Sequence, residues 1–183
     1  MKTINKLALA LTGGLLAMST LLPAATANRQ SEKPIGEKVR HELVMLPFYN
    51  VFDNLAYRVN GSEVHLYGQV TRPTLKSSAE NVVKSIPGIT HVHNEIEVLP
   101  LSPFDDRLRL ALYRAIYSQP ALNRYALGAI PGIHIIVRNG NVTLEGVVAS
   151  EMDRNIAYLR ANGVSGAFSV ANNLQVAGKN RER

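Results

Sequence analysis

The chain contains no cysteine. That excludes disulfides, thiolate zinc sites and thiol nucleophiles. Beyond residue 27 no apolar run approaches the roughly 20 residues needed to cross a bilayer. There is no nucleophile-elbow glycine–serine motif, no phosphate-cradling glycine loop and no His-Glu-x-x-His pair. Hydrolase and nucleotide chemistry therefore lack starting residues, and the expectation is a protein that is not an enzyme and uses no cofactor. RNA recognition asks for aromatics on an open sheet face. Tyr67 alone answers that description, so nucleic acid is not an expected partner.

The N-terminus is read as a secretory signal over residues 1–27. Met1, Lys2 and Lys6 make a short positive start, and Leu7 to Leu22 is mostly apolar. Pro23 interrupts the run, and Ala25-Thr26-Ala27 is a small-x-small cleavage site. Cleavage would leave 156 of the 183 residues, starting at Asn28. Two of the six net positive charges leave with the lysines of the signal, so the mature chain carries +4. A mildly basic, exported chain suits a periplasmic or otherwise exported location, peripheral to the envelope.

Comparing the chain with itself is the most informative step. Val64-His65-Leu66-Tyr67-Gly68-Gln69-Val70 aligns with Val142-Thr143-Leu144-Glu145-Gly146-Val147-Val148, an offset of 78 residues. The same offset carries Ala79 onto Ala157 and Gly88 onto Gly166. It also carries Val92, Asn94, Ile96 and Val98 onto Val170, Asn172, Leu174 and Val176. Separated blocks sharing one ungapped offset indicate a duplicated module.

Each copy reads as α-β-β-α-β. Asn139-Gly140 between β-rich runs predicts a tight hairpin, because both residues tolerate positive φ. Asn60-Gly61 plays that part in the first copy, with a turn expected to be one residue longer, as a bulge or a looser loop. A helix follows each hairpin. In the second copy Ser150 and Asp153 resemble a capping box, and Met152, Ile156 and Leu159 recur at helical spacing. In the first, Leu75, Ala79, Val82, Val83 and Ile86 form the stripe. A leading helix precedes each hairpin, from Glu37 to about Leu46 and from Ser102-Pro103 onward. The second copy alone inserts a short helical segment from Pro120 to Leu127. The expected fold class is α+β: two modules, each a three-stranded mixed sheet with helices on one face. The expected organisation is signal 1–27, linker 28–36, modules 37–100 and 101–177, and a basic tail 178–183.

The pattern Val-x-Leu-x-Gly-x-Val, a helix, then Gly-x-x-x-Val-x-Asn-x-Ile/Leu-x-Val resembles the BON domain. It is carried by Val64, Leu66, Gly68, Val70, Gly88, Val92, Asn94, Ile96 and Val98, and again by Val142, Leu144, Gly146, Val148, Gly166, Val170, Asn172, Leu174 and Val176. The second copy departs at Gly166-Ala167-Phe168, where a Gly-Val pair is usual. The resemblance implies non-enzymatic work: binding anionic phospholipid surfaces or other envelope components and supporting envelope integrity. The alternative is a protein- or cell-wall-interaction module without lipid binding. The resemblance brings no catalytic residues.

Three groups of residues invite a functional reading. Gly68, Gly88, Gly146 and Gly166 recur in both copies, which points to structure: at Gly68 and Gly146, a close helix–sheet approach that a Cβ would block. Arg107, Tyr113, Arg114 and Tyr117 on the second leading helix, with Arg124 and Tyr125 in the insertion, suit a bilayer interface, where rings sit at headgroup depth and guanidinium groups meet phosphate. The other reading of that helix is ordinary amphipathic packing. His65, His91, His93 and Glu95 alternate outward on strands of the first copy; the expectation is a solvated face with no metal site, and metal binding by these residues is the alternative. No fourth ligand is evident, and the second copy has Thr143, Ser169, Ala171 and Asn173 at those positions.

Overall fold

The structure is a computed structural model and describes residues 35–128 and 130–178. The signal, most of the linker and nearly all of the basic tail lie outside the described residues. Helix α1 covers residues 35–44. The first module continues with β1 (Asn54–Asn60), β2 (Glu63–Val70), α2 (Pro73–Lys84), β3 (His91–Asn94) and β4 (Glu97–Val98). The second has α3 (Pro103–Tyr117), α4 (Pro120–Asn123), a 3-10 turn (Arg124–Ala126), β5 (Ile133–Arg138), β6 (Asn141–Val148), α5 (Glu151–Asn162), β7 (Ser169–Asn172) and β8 (Gln175–Val176).

The fold is α+β and duplicated. In each module the hairpin is antiparallel and the last strand joins the central strand in parallel, after a helical crossover. That last strand comes in two pieces, and both pair with β2 or β6. The interruption has a visible cause. Gly68 and Gly146 sit in the central strands at φ 113° and 121°. The ladder lapses opposite this kink and resumes in the same register at Gln69↔Glu97 and Val147↔Gln175. An asparagine bridges the gap. Asn94 donates to the Lys76 carbonyl (3.1 Å) and accepts from Ile96 N (3.2 Å). Asn172 donates to the Arg154 carbonyl (3.0 Å) and accepts from Leu174 N (3.3 Å). Each amide thus ties the broken strand to the crossover helix, satisfying backbone groups that the lapse leaves unpaired.

Several details differ from the sequence expectation. Both hairpins turn on two residues, Gly61-Ser62 and Asn139-Gly140, because Asn60 is already paired with Glu63. The longer turn, bulged or loose, is therefore absent, and Asn60 belongs to the strand. Residues 35 and 36 are helical rather than linker. Ile35 packs on the first core, and the Gly36 carbonyl accepts the Tyr57 hydroxyl at 2.9 Å. In α5 the buried positions are Asp153, Ala157 and Ala161, whereas Met152 and Leu159 are exposed. The helix turns its small residues to the sheet, which lets it lie close beside α3. A Cβ on Gly68 or Gly146 would meet the carbonyl oxygen of Asn54 or Gly132 at 2.1 or 2.2 Å. The close approach is thus to the neighbouring strand, not to a helix.

Each module has its own core. Val39, Leu43, Leu66, Leu75 and Val83 anchor the first, and Leu108, Leu112, Ile116, Ile135 and Leu144 the second. One residue breaks that separation. Val51 precedes β1 of the first module, yet it is buried in the second core. Its carbonyl accepts Ile135 N at 2.8 Å, covering the edge of β5. Tyr49 stacks on His134 nearby (5.7 Å, 12°), Phe52 meets Tyr113 edge-on, and Glu97 pairs with Arg138. A segment of one module therefore completes the sheet edge of the other.

Candidate functional site

The residues of α3 and the insertion fall into two groups. The first is engaged in hydrogen bonds within the module. Tyr117 is buried, and its hydroxyl donates to the Ile133 carbonyl at 2.5 Å. Burial holds its pKa well above the usual phenol value, and the hydrogen bond to Ile133 only partly offsets this, so it stays a neutral donor. Arg124 donates to Asp153 at 2.5 Å, and Tyr125 donates to the same carboxylate at 2.8 Å. The Tyr125 hydroxyl also accepts Ala149 N at 2.7 Å. Burial acts to raise the Asp153 pKa, but hydrogen bonds from Tyr125, Ser150 and Arg124 outweigh it and hold the carboxyl below its usual value. Arg124 and Tyr125 therefore tie the insertion to α5, and Tyr117 ties α3 to β5; their polar ends are engaged within the module, although the Arg124 side chain itself remains 57% exposed. Arg109 joins this group; its spacing of three and seven residues from Leu112 and Ile116 puts it on the buried stripe, although its charge argues for solvent. It is buried, reaches the Val137 carbonyl at 2.7 Å and pairs with Asp106 at 2.5 Å.

The second group faces solvent. Arg107 and Arg114 are exposed and make no ion pair among the described residues. Leu110 between them is 50% exposed, and Tyr113 lies beside it at 37%. At the start of the helix Phe104 stacks on Phe168 (6.1 Å, 22°), and Phe168 is 74% exposed. Phe104 and Phe168 belong to this surface and were missed from sequence. Phe168 follows Gly166-Ala167, where the pattern departs from its usual Gly-Val pair, and that departure was the available signal.

The hairpin end of this surface is fixed from α3 itself. Asp105 is fully buried and accepts Asn139 N at 2.8 Å and Gly140 N at 2.9 Å. Asn139 and Gly140 have φ of 51° and 77°, so the turn is of the left-handed two-residue kind that Asn-Gly favours. Ser102 caps the same helix by accepting Asp105 N at 3.2 Å. The exposed stripe thus sits on a helix fastened at its first turn to the hairpin and at its last to β5.

On the first module, the helix-free sheet face brings a different set together. His65 and His93 are partners across β2 and β3, and their rings stack at 4.5 Å and 16°. His65 Nδ1 lies 3.7 Å from Glu95 Oε1. Glu63, not singled out from sequence, joins them: one ligand atom from each of Glu63, His65 and His93 falls within 4.8 Å of the others. His91 instead has Nδ1 3.2 Å from the Thr90 hydroxyl.

The BON domain family model matches the chain twice in tandem, over residues 31–100 and 105–178. The chain belongs to the BON-domain family. Its two modules are tandem BON domains, a family of non-catalytic binding modules found in bacterial envelope proteins. Two solved structures are similar over most of their length. One is CdsD, a structural protein of the type III secretion system of Chlamydia trachomatis, at 12% identity, covering 78% of this chain and 92% of that one with a TM-score of 0.30. The other is the C-terminal domain of CdsD, at 12% identity, 76% and 96% coverage and a TM-score of 0.27. No curated protein matches. Among the described residues of this BON protein, no helix is long and apolar enough to cross a membrane.

Proposed function

We propose that this envelope-associated BON protein works by binding anionic phospholipid surfaces, and that it supports envelope integrity through that contact. One observation carries the reading. Helix α3 of the second BON domain exposes Leu110 and part of the Tyr113 ring beside Arg107 and Arg114, neither of which makes an ion pair among the described residues, with the Phe104–Phe168 pair at its first turn. Apolar and aromatic side chains flanked by unpaired guanidinium groups match the layered chemistry of a headgroup region. Periplasmic residence behind the signal at 1–27 is part of the same reading. The mature charge of +4 favours approach to an anionic surface.

Co-sedimentation with phosphatidylglycerol-containing and neutral phosphatidylcholine vesicles tests it. Binding is expected to the anionic vesicles and to weaken with salt. Replacing Arg107 and Arg114 together by Gln should cost about 2 kcal/mol, roughly thirtyfold in affinity, with unfolding unchanged. Arg124→Gln should behave oppositely and lower stability, because that charge serves Asp153. Negligible binding to both vesicle types at low salt would sink the proposal. A second reading rests on the outer strands β3 and β7, each hydrogen-bonded on one side only. Such edges accept an added strand from a protein partner. Reproducible protein or cell-wall crosslinks in cells, without vesicle binding, would favour it.

A further inference from the structure

We propose that Glu63, His65 and His93 form a binding site for a divalent transition ion of the Zn2+ class on the helix-free face of the first BON domain. The backbone supplies the arrangement. Glu63 and His65 are two residues apart on β2 and so share a face, and the parallel register places His93 directly beside His65. Three ligand atoms already lie within 4.8 Å of one another. An ion with bonds of about 2.0–2.1 Å holds its ligand atoms roughly 3.3 Å apart. Closing the site requires the ligand atoms to approach and the two stacked rings, 16° from parallel, to turn toward a common ion; His93 is exposed, and Glu63 and His65 are half-buried. Two imidazoles and a carboxylate are a donor set for Zn2+ and neighbouring ions rather than for Mg2+ or Ca2+. Glu95 Oε1 lies 3.7 Å from His65 Nδ1, beyond hydrogen-bond distance; moving closer on ion binding, it would accept that N–H and direct Nε2 to the ion. The open face leaves remaining coordination positions to water.

Two neighbours bear on the charge. Arg58 is the partner of His65 across β1 and opposes a cation, while the Glu63 and Glu95 carboxylates offset it. His91 is the partner of Glu63 and is occupied with Thr90. The second BON domain is an internal control. At the positions of Glu63, His65, His93 and Glu95 it has Asn141, Thr143, Ala171 and Asn173. There the same face closes on itself: Ser169 and Asn141 side chains bond at 2.7 Å, and Asn173 donates to Glu145 at 2.7 Å. The fold therefore does not need imidazoles at these positions.

The test is calorimetric titration of the untagged protein with Zn2+ alone, paired with imidazole NMR. One ion per chain is expected, with shifts in the His65 and His93 ring signals and none at His41 or His134. The variant His65→Thr/His93→Ala carries the residues of the second domain, and its affinity should fall on the order of a hundredfold or more. Glu63→Gln should weaken binding less and serves if that double variant misfolds. Absence of Zn2+ binding, unchanged affinity in a folded variant, or shifts confined to other histidines would each overturn the site.

Discussion

At one equivalent backbone amide the two BON domains use different acceptors. Thr71 N donates to the buried Asp53 carboxylate at 2.6 Å, and Ala149 N donates to the Tyr125 hydroxyl at 2.7 Å. Asp53 also takes the Thr71 hydroxyl (2.8 Å) and Asn50 N (3.2 Å). It comes from the segment before β1, the same segment that sends Val51 into the neighbouring core. Tyr125 comes from the insertion, which brings Arg124 and Asp153 with it. The difference separates two kinds of constraint. Backbone demands recur with the fold: an amide leaving the central strand must find an acceptor, and a lapsed ladder must be bridged by asparagine. Side-chain solutions diverge wherever the local chain has another role. In the first domain that role is covering β5; in the second it is supporting an exposed helix.

The largest effect should fall on what the domains share. Gly68→Val and Gly146→Val each force a Cβ onto a carbonyl oxygen at a positive φ. Each should cost about 3–5 kcal/mol, combining backbone strain with overpacking. Denaturant unfolding should show similar losses for the two. A large asymmetry would mean that the repeat is geometric but not energetic.

A smaller effect tests the crossing of the domain boundary. Val51→Ala removes two methyl groups from the second core and should cost about 2 kcal/mol. The loss should appear as weaker hydrogen-exchange protection in β5 and β6 rather than in β2. Loosening confined to the first domain would restore two independent cores.

The smallest effect is pH-dependent and belongs to the second domain. The folded Asp153 carboxyl sits below its ordinary pKa, so its stabilisation is present above the unfolded carboxylate pKa and lost as pH falls through the folded value. The stability gap between the protein and Asp153→Asn should be greatest at neutral pH and shrink in acid. Leu75 occupies this position in the first domain and titrates nothing. A gap that stays constant between neutral and acid pH would show that the carboxylate acts only by shape and hydrogen bonding.

Self-comparison made the duplication legible, and local patterns gave the stripe of α2 and the Asn-Gly turn of the second hairpin. Spacing was right for Ile156 of α5, which packs on the second core, but misled at Met152 and Leu159, which look like core and are exposed. Alanines satisfy a close-packed interface as well as large residues do, and helical spacing does not say which face the sheet will take. The candidate lipid surface was half legible. Arg107, Tyr113 and Arg114 are exposed as a flanking helical face predicts. Tyr117, Arg124 and Tyr125 look identical in sequence but are engaged within the fold, because their partners Ile133 and Asp153 lie 16 and 29 residues away. Glu63 escaped notice for the same reason: only pairing with β3 puts it near His93.

By itself the sequence determined the repeat, its element order and the positions where glycine or asparagine must stand, since these follow from backbone sterics and spacing within a segment. Tertiary structure alone decided that Val51 serves the other domain, that a carbonyl of β5 receives the buried Arg109 while Arg107 and Arg114 stay exposed, and that Glu63, His65 and His93 come together. Those outcomes depend on which distant groups arrive beside a side chain. Burial, ion pairing and ligand geometry are set by that arrival, and periodicity along the chain carries no record of it.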